Sequence, residues 1–133
     1  IIIDCYGPTV VHGGGAFSGK DISKIDRLGA YFCRYVAKNI VSAGLAERCL
    51  VQMGFHIGGQ VPINIKINTF GTAQYYSDRE LVSGLEALNR SPDYDFSFKT
   101  DDILQRMKLS SSYRYRKLAV YGHFGRLDLP NIP

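Results

Sequence analysis

The chain has no apolar stretch near the roughly 20 residues that a helix needs to cross a bilayer, and no basic-then-apolar leader pattern opens it. A membrane-spanning or secreted protein is thereby set aside, and a soluble, cytoplasmic one is expected. Cysteine is scarce. Cys5, Cys33 and Cys49 are an odd number without a C-x-x-C pair, which argues against a disulfide framework or a zinc cluster and for reduced, mostly buried thiols. His12, His56 and His123 lie far apart without metal-ligand spacing, so each reads as a hydrogen-bonded structural histidine. No basic run interleaved with aromatics is present, and no repeat. With 16 Lys and Arg against 12 Asp and Glu the net charge is only +4, a balance that suits a small anionic substrate, and no nucleic-acid partner is expected. The chain also lacks an initiator methionine: it opens on Ile1-Ile2-Ile3-Asp4, in what reads as a strand, and closes on Leu129-Pro130-Asn131-Ile132-Pro133. A fragment or a split polypeptide is the expectation.

What is present suffices for one domain: 133 residues, 45% apolar and 12% aromatic, support an ordinary core. The most informative stretch is Gly13-Gly14-Gly15-Ala16-Phe17-Ser18-Gly19-Lys20-Asp21, with Lys24 and Asp26 close behind. Glycines let a backbone approach a ligand closely, and two lysines four apart place two ammonium groups on one polyanion, an arrangement suited to phosphate. Gly14 and Gly19-Lys20 have P-loop spacing. The P-loop match fails at Asp21, which stands where that motif needs a magnesium-binding Ser or Thr.

Periodicity supplies the rest of the framework. Ile25, Leu28, Phe32, Val36 and Ile40 recur at three and four, predicting a helix over 24–43 with Ser23 as N-cap and Gly44 as stop, and with Arg27, Arg34 and Lys38 on its polar side as surface or interface charges. A strand is expected over 48–53. A second, over 62–69, follows from the alternation of Ile63, Ile65 and Ile67 with Asn64, Lys66 and Asn68. The glycine-rich connection over 54–60 makes the two an antiparallel pair. A helix over 78–88 has Ser77 and Glu80 as a capping box, and a shorter one follows Thr100 through Ile103, Leu104 and Met107. The remainder, with Tyr113, Tyr115 and Tyr121, reads as irregular, with a strand at 118–121. This order points to an α+β layer, a mostly antiparallel sheet covered on one face by helices.

The wording itself carries a resemblance. Asp4-Cys5-Tyr6-Gly7, the block from His12 to Asp21, Ser23-Lys24-Ile25-Asp26-Arg27, Tyr35-Val36-Ala37-Lys38-Asn39-Ile40-Val41, Gly44-Leu45-Ala46, Thr69-Phe70-Gly71-Thr72 and Tyr121-Gly122-His123-Phe124-Gly125-Arg126 resemble the C-terminal third of the S-adenosylmethionine synthetases, or methionine adenosyltransferases. The likeness weakens between 91 and 117. It implies that the chain is, over 1–133, the C-terminal portion of a subunit built of three similar α+β domains around a pseudo-threefold axis, active as a homodimer or dimer of dimers. It implies synthesis of S-adenosylmethionine, phosphate and diphosphate from ATP, L-methionine and water.

By the same resemblance Lys20 and Lys24 match the triphosphate-binding, catalytic lysines, Ala16 a position whose backbone lies against the nucleotide, and Ile57 an apolar position near it. Around Ile57 the family wording Ser-Tyr-Ala-Ile-Gly is replaced by Gly54-Phe55-His56-Ile57-Gly58, so His56 is either a polar contact or a space filler. Asp26 matches an aspartate near the metal-phosphate cluster and is the candidate metal ligand, while its place in the first helical turn also fits a plain capping role. The family's catalytic histidine, its Mg²⁺ aspartates and the glutamate of its K⁺ site would lie upstream, so Mg²⁺ and K⁺ are implied with most ligands outside these residues. The chain alone is expected to be inactive. A noncatalytic split or degenerate module, lending an interaction or polyphosphate-binding surface, is the alternative reading.

Overall fold

The computed structural model describes residues 2–109 and 115–129. Three α-helices and a two-stranded antiparallel sheet form its α+β architecture: α1 Ile25–Ser42, β1 Leu50–Gly54, β2 Asn64–Asn68, α2 Asp78–Arg90 and α3 Thr100–Arg106. Short 3-10 turns lie at Ile2–Asp4, Gly7–Thr9 and Tyr115–Lys117.

Helix α1 buries Leu28, Phe32, Val36 and Ile40, as its period requires, each such side chain stabilising by about 1.5–3 kcal/mol. It begins one residue later than expected. The Asp21 carboxylate accepts the Ser23 amide at 2.8 Å and the Lys24 amide bonds to the Asp21 carbonyl at 3.1 Å, closing a turn that leaves Lys24 at the N-cap with no side-chain bond. Ser23 belongs to that turn and Asp26 becomes the second helical residue. Asp21, the misfit of the phosphate-loop pattern, thus has a local job, and its hydrogen bonds to Ser23 hold its carboxyl below the ordinary range. At the other end Gly44 stops the helix at φ +71°: its amide bonds to the Val41 carbonyl and that of Leu45 to the Ile40 carbonyl, the paired bonds of a Schellman ending.

Strands β1 and β2 pair in the register Val51↔Ile67 and Met53↔Ile65. Val51 and Ile67 are buried, while Gln52 and Lys66, opposite one another, are exposed. Helix α1 packs on β1 and α2 on β2. Ile63 lies before β2 and is exposed. Its amide closes the hairpin on the Gly54 carbonyl at 2.8 Å. Within the turn the exposed His56 ring lies over Gly59, and its Nδ1 is 3.1 Å from the Ile57 carbonyl, a polar contact local to the turn. Helix α2 carries the expected capping box between Ser77 and Glu80, and α3 starts at Thr100 as expected.

Two expected strands are absent. The opening isoleucines form a turn, with Ile2 and Ile3 exposed; no ladder among the described residues pairs them, and the Asp4 carbonyl instead accepts the His123 amide at 2.8 Å. At 118–121 Leu118 is buried, but Tyr121 and Gly122 take left-handed φ values of +66° and +90°, which an extended ladder does not accommodate. Tyr113 and Ile1 lie outside the described residues.

Candidate functional site

The glycine loop is laid against the start of α1. Phe17, almost fully buried, anchors it, meeting Tyr31, His123 and Phe124 edge-on at ring separations of 5.8, 5.3 and 5.8 Å. Upstream, the His12 Nδ1 accepts the Gly14 amide at 2.8 Å and its Nε2 lies 3.0 Å from the Cys5 thiol; Gly14 itself has φ +95°. Downstream the Lys20 amide turns back to the Phe17 carbonyl at 3.3 Å. Lys20 Nζ makes an ion pair with the Asp26 carboxylate, and Gly15 lies so close to Asp26 that an added Cβ would overlap its side chain.

Glycine is therefore required at position 15 by packing, whereas a Cβ at Gly13 would meet nothing within 4 Å. Gly15→Ala is expected to lower the unfolding free energy by about 1–3 kcal/mol, the range for forcing extra volume into a packed contact, and Gly13→Ala by much less. Chemical denaturation of the two variants checks the contrast; equal losses would show that the loop does not rest on Asp26.

Beside the loop runs an open groove of about 900 Å³ between α1 and β1. Gly13, Gly15 and Asp26 line one end, Ile25, Met53 and Phe55 its apolar floor, and Arg34 and Arg48 also border it. Sequence reasoning assigned Arg34 to the surface, but its side chain is half-buried, its guanidinium 5.6 Å from the Tyr6 ring and its Nε buried without a hydrogen-bond partner. Arg27, also expected on the surface, is only 4% exposed. It is held by the Lys20 carbonyl at 2.9 Å and the Tyr31 hydroxyl at 3.2 Å, and it lies over the Tyr115 ring at 4.4 Å. Lys38 is exposed as expected.

A family model described as the S-adenosylmethionine synthetase C-terminal domain matches residues 1–131. The chain belongs to the S-adenosylmethionine synthetase family. It is 46% identical to a protein named S-adenosylmethionine synthase from Chlorobium phaeobacteroides over 133 residues, which is 98% of this chain and 31% of that relative. It therefore spans about a third of the length of the curated relative it matches.

Of the residues singled out by resemblance to this family, Lys20 and Asp26 meet in an ion pair where the glycine loop meets α1 and Lys24 is the N-cap of that helix; of these and Ala16, only Asp26 lines the groove. Ile57 does not join them: it is fully exposed on the β1–β2 turn and does not line the groove. Among the described residues no group of three or more His, Cys, Asp or Glu side chains is placed to hold a metal ion, and no helix is long and apolar enough to cross a membrane. The three cysteines are free, and burial pushes Cys33 up to about 12 and Cys5 and Cys49 to about 11, so each is a thiol at neutral pH.

The closing Gly-His-Phe-Gly-Arg segment, part of the resemblance but without an assigned role, packs against the same loop. His123 is 1% exposed, with the Tyr31 hydroxyl 2.5 Å from its Nδ1 and Ser18 Oγ 3.0 Å from its Nε2. Burial first, and then the nearby Arg27 charge, hold its pKa below the ordinary value of 6.5. Arg126 locks the segment by donating to the Val120 and Gly122 carbonyls and to both carboxylate oxygens of Asp128. The sequence carried one signal for this cluster: Arg27 and Tyr31 are four apart on a helix and share a face.

Proposed function

We propose that this chain is the C-terminal portion of a three-domain, pseudo-threefold subunit that makes S-adenosylmethionine from ATP and L-methionine in a cytoplasmic homodimer or dimer of dimers, and that it supplies the triphosphate-binding wall of the active site. The observation that carries the reading is the placement of Lys20, Lys24 and Asp26 at the foot of a glycine loop in a chain of this family. The methionine sulfur forms a bond to C5′ of ATP while the bond from C5′ to the triphosphate oxygen breaks; the triphosphate leaves with the electron pair and is cleaved by water to phosphate and diphosphate. About four negative charges develop on the leaving group, and ammonium groups already in place stabilise them better than reorienting water does.

Lys20 and Lys24 serve as fixed charges and move no proton. Asp26 holds the Lys20 ammonium at the loop before substrate arrives. The two side chains are 36% and 46% exposed, so the pair is worth only about 0–1 kcal/mol, and a polyphosphate displaces the carboxylate at small cost. Ala16 brings backbone to the nucleotide and Ile57 an apolar contact across the hairpin turn. Asp26 fits Mg²⁺ as one ligand of a shared site, not as a site by itself; Mg²⁺, when bound, neutralises phosphate oxygens. The described residues contain no ligand set for K⁺.

In the complete synthetase, Lys24→Ala is expected to impair product formation about tenfold or more, and Lys24→Arg to restore little of it, because a forked guanidinium does not replace a compact ammonium in a packed cradle. Steady-state assay with ATP and methionine decides. Full activity of the Arg variant would make Lys24 a surface charge and remove half of the proposed wall.

A further inference from the structure

The glycine loop is tied at two points to a line of side chains that bear no triphosphate themselves. The Lys20 carbonyl accepts from Arg27 Nη1 at 2.9 Å, and Arg27 Nε donates to the Tyr31 oxygen at 3.2 Å. The Tyr31 hydroxyl meets His123 Nδ1 at 2.5 Å, and His123 Nε2 meets Ser18 Oγ at 3.0 Å. Arginine only donates, so the Tyr31 oxygen accepts from it; the buried Tyr31 O–H then has no acceptor but His123 Nδ1 among the described residues and donates to it. Nε2 then carries the imidazole proton and donates to Ser18.

We infer that Arg27, Tyr31 and His123 are positioning residues that set where Ser18 and Lys20 stand, and so set the affinity of the loop for a triphosphate group. The inference rests on the reading of Lys20 as a triphosphate ligand. Two further observations support it. Arg27 is buried and makes no ion pair among the described residues, its partners being a carbonyl, a phenol and the Tyr115 ring, so its positive charge is weakly screened beneath the loop and adds to the field felt by a polyanion. Ser18 and His123 are also 105 residues apart, so this line joins the closing segment to the loop by hydrogen bonds, beside the ring contacts of Phe17 with His123 and Phe124.

The arrangement needs a neutral imidazole, since a protonated ring would turn an N–H toward the Tyr31 O–H. The groups acting on His123 are Arg27 and Tyr31 from α1, Asp4 from the opening turn and Arg126 from its own segment. Arg27 and Arg126 oppose protonation, Asp4 favours it, and burial opposes it most. With the folded pKa below 6.5, the ordered loop binds fewer protons than a loosened one. Its order is complete above about pH 6.5 and is lost as pH falls through the lower, folded value.

The test is binding of inorganic triphosphate to the complete protein by calorimetry. Tyr31→Phe keeps the ring in the core and is expected to weaken binding about tenfold, and Ser18→Ala, an exposed and structurally mild change, about threefold to tenfold, the range for one hydrogen bond. The ratio of native to His123→Gln affinity, in which protonation of the probe itself cancels, is expected to fall as pH is lowered below 6.5 through the folded His123 value, because glutamine does not titrate there. Native affinity in both Tyr31→Phe and Ser18→Ala would overturn the positioning role while Lys20→Ala still weakens binding. If Lys20→Ala also binds normally, the lysine assignment fails, and this inference with it.

Discussion

Replacing Lys20 by alanine in the complete synthetase is expected to lower kcat about 100-fold or more, with a smaller change in KM for ATP. In the proposed function the triphosphate develops its charge against the Lys20 ammonium, and removing one preorganised group that stabilises transition-state charge costs about 2.7–4 kcal/mol. Steady-state kinetics of the native and Lys20→Ala enzymes measures the effect, and an unchanged kcat in Lys20→Ala would sink the assignment of the loop.

The second large effect is on stability. Phe32 is fully buried at the centre of α1, edge-on to Phe98 at 5.6 Å and beside Tyr35 and Phe96 at 6.2 and 6.1 Å. Phe32→Ala is expected to destabilise by about 3–5 kcal/mol, the lost transfer energy plus a cavity walled by Tyr35 of α1 and by Phe96 and Phe98 of the segment before α3. Against a domain stability of about 5–15 kcal/mol this moves the urea midpoint far down at similar slope. A loss below about 1 kcal/mol would mean that the cluster is loosely packed.

Much of the fold was legible because its signals are local. The stripe of α1, the glycine ending at Gly44, the Ser77–Glu80 box and the hairpin between β1 and β2 each depend on residues within about four positions of one another or across one turn, where backbone geometry links them directly. The strand over 62–69 was legible only in part. Alternation marks which side chains share a face and not where pairing begins, so Ile63 was counted in and lies outside.

The candidate site divides along the same line. Lys20, Lys24 and Asp26 stand within seven residues of sequence, and the wording around them made the phosphate reading available before any coordinates. Arg27 was misplaced for a physical reason, since a guanidinium on the polar side of a helix is ordinarily solvated; His123 is the hydrogen-bonded structural histidine expected, but a single histidine carries no spacing that names its partners.

The sequence by itself determined the family, the helix α1, the hairpin and the cluster of lysines beside a glycine loop, since all of these are written in neighbouring residues. Only the tertiary structure decided that the opening isoleucines form no strand, that Arg27 is buried, and that the closing segment grips the loop through His123. Those outcomes depend on contacts between residues up to 105 positions apart. A ladder edge, a buried charge or a tautomer is settled by the partner that folding brings to it.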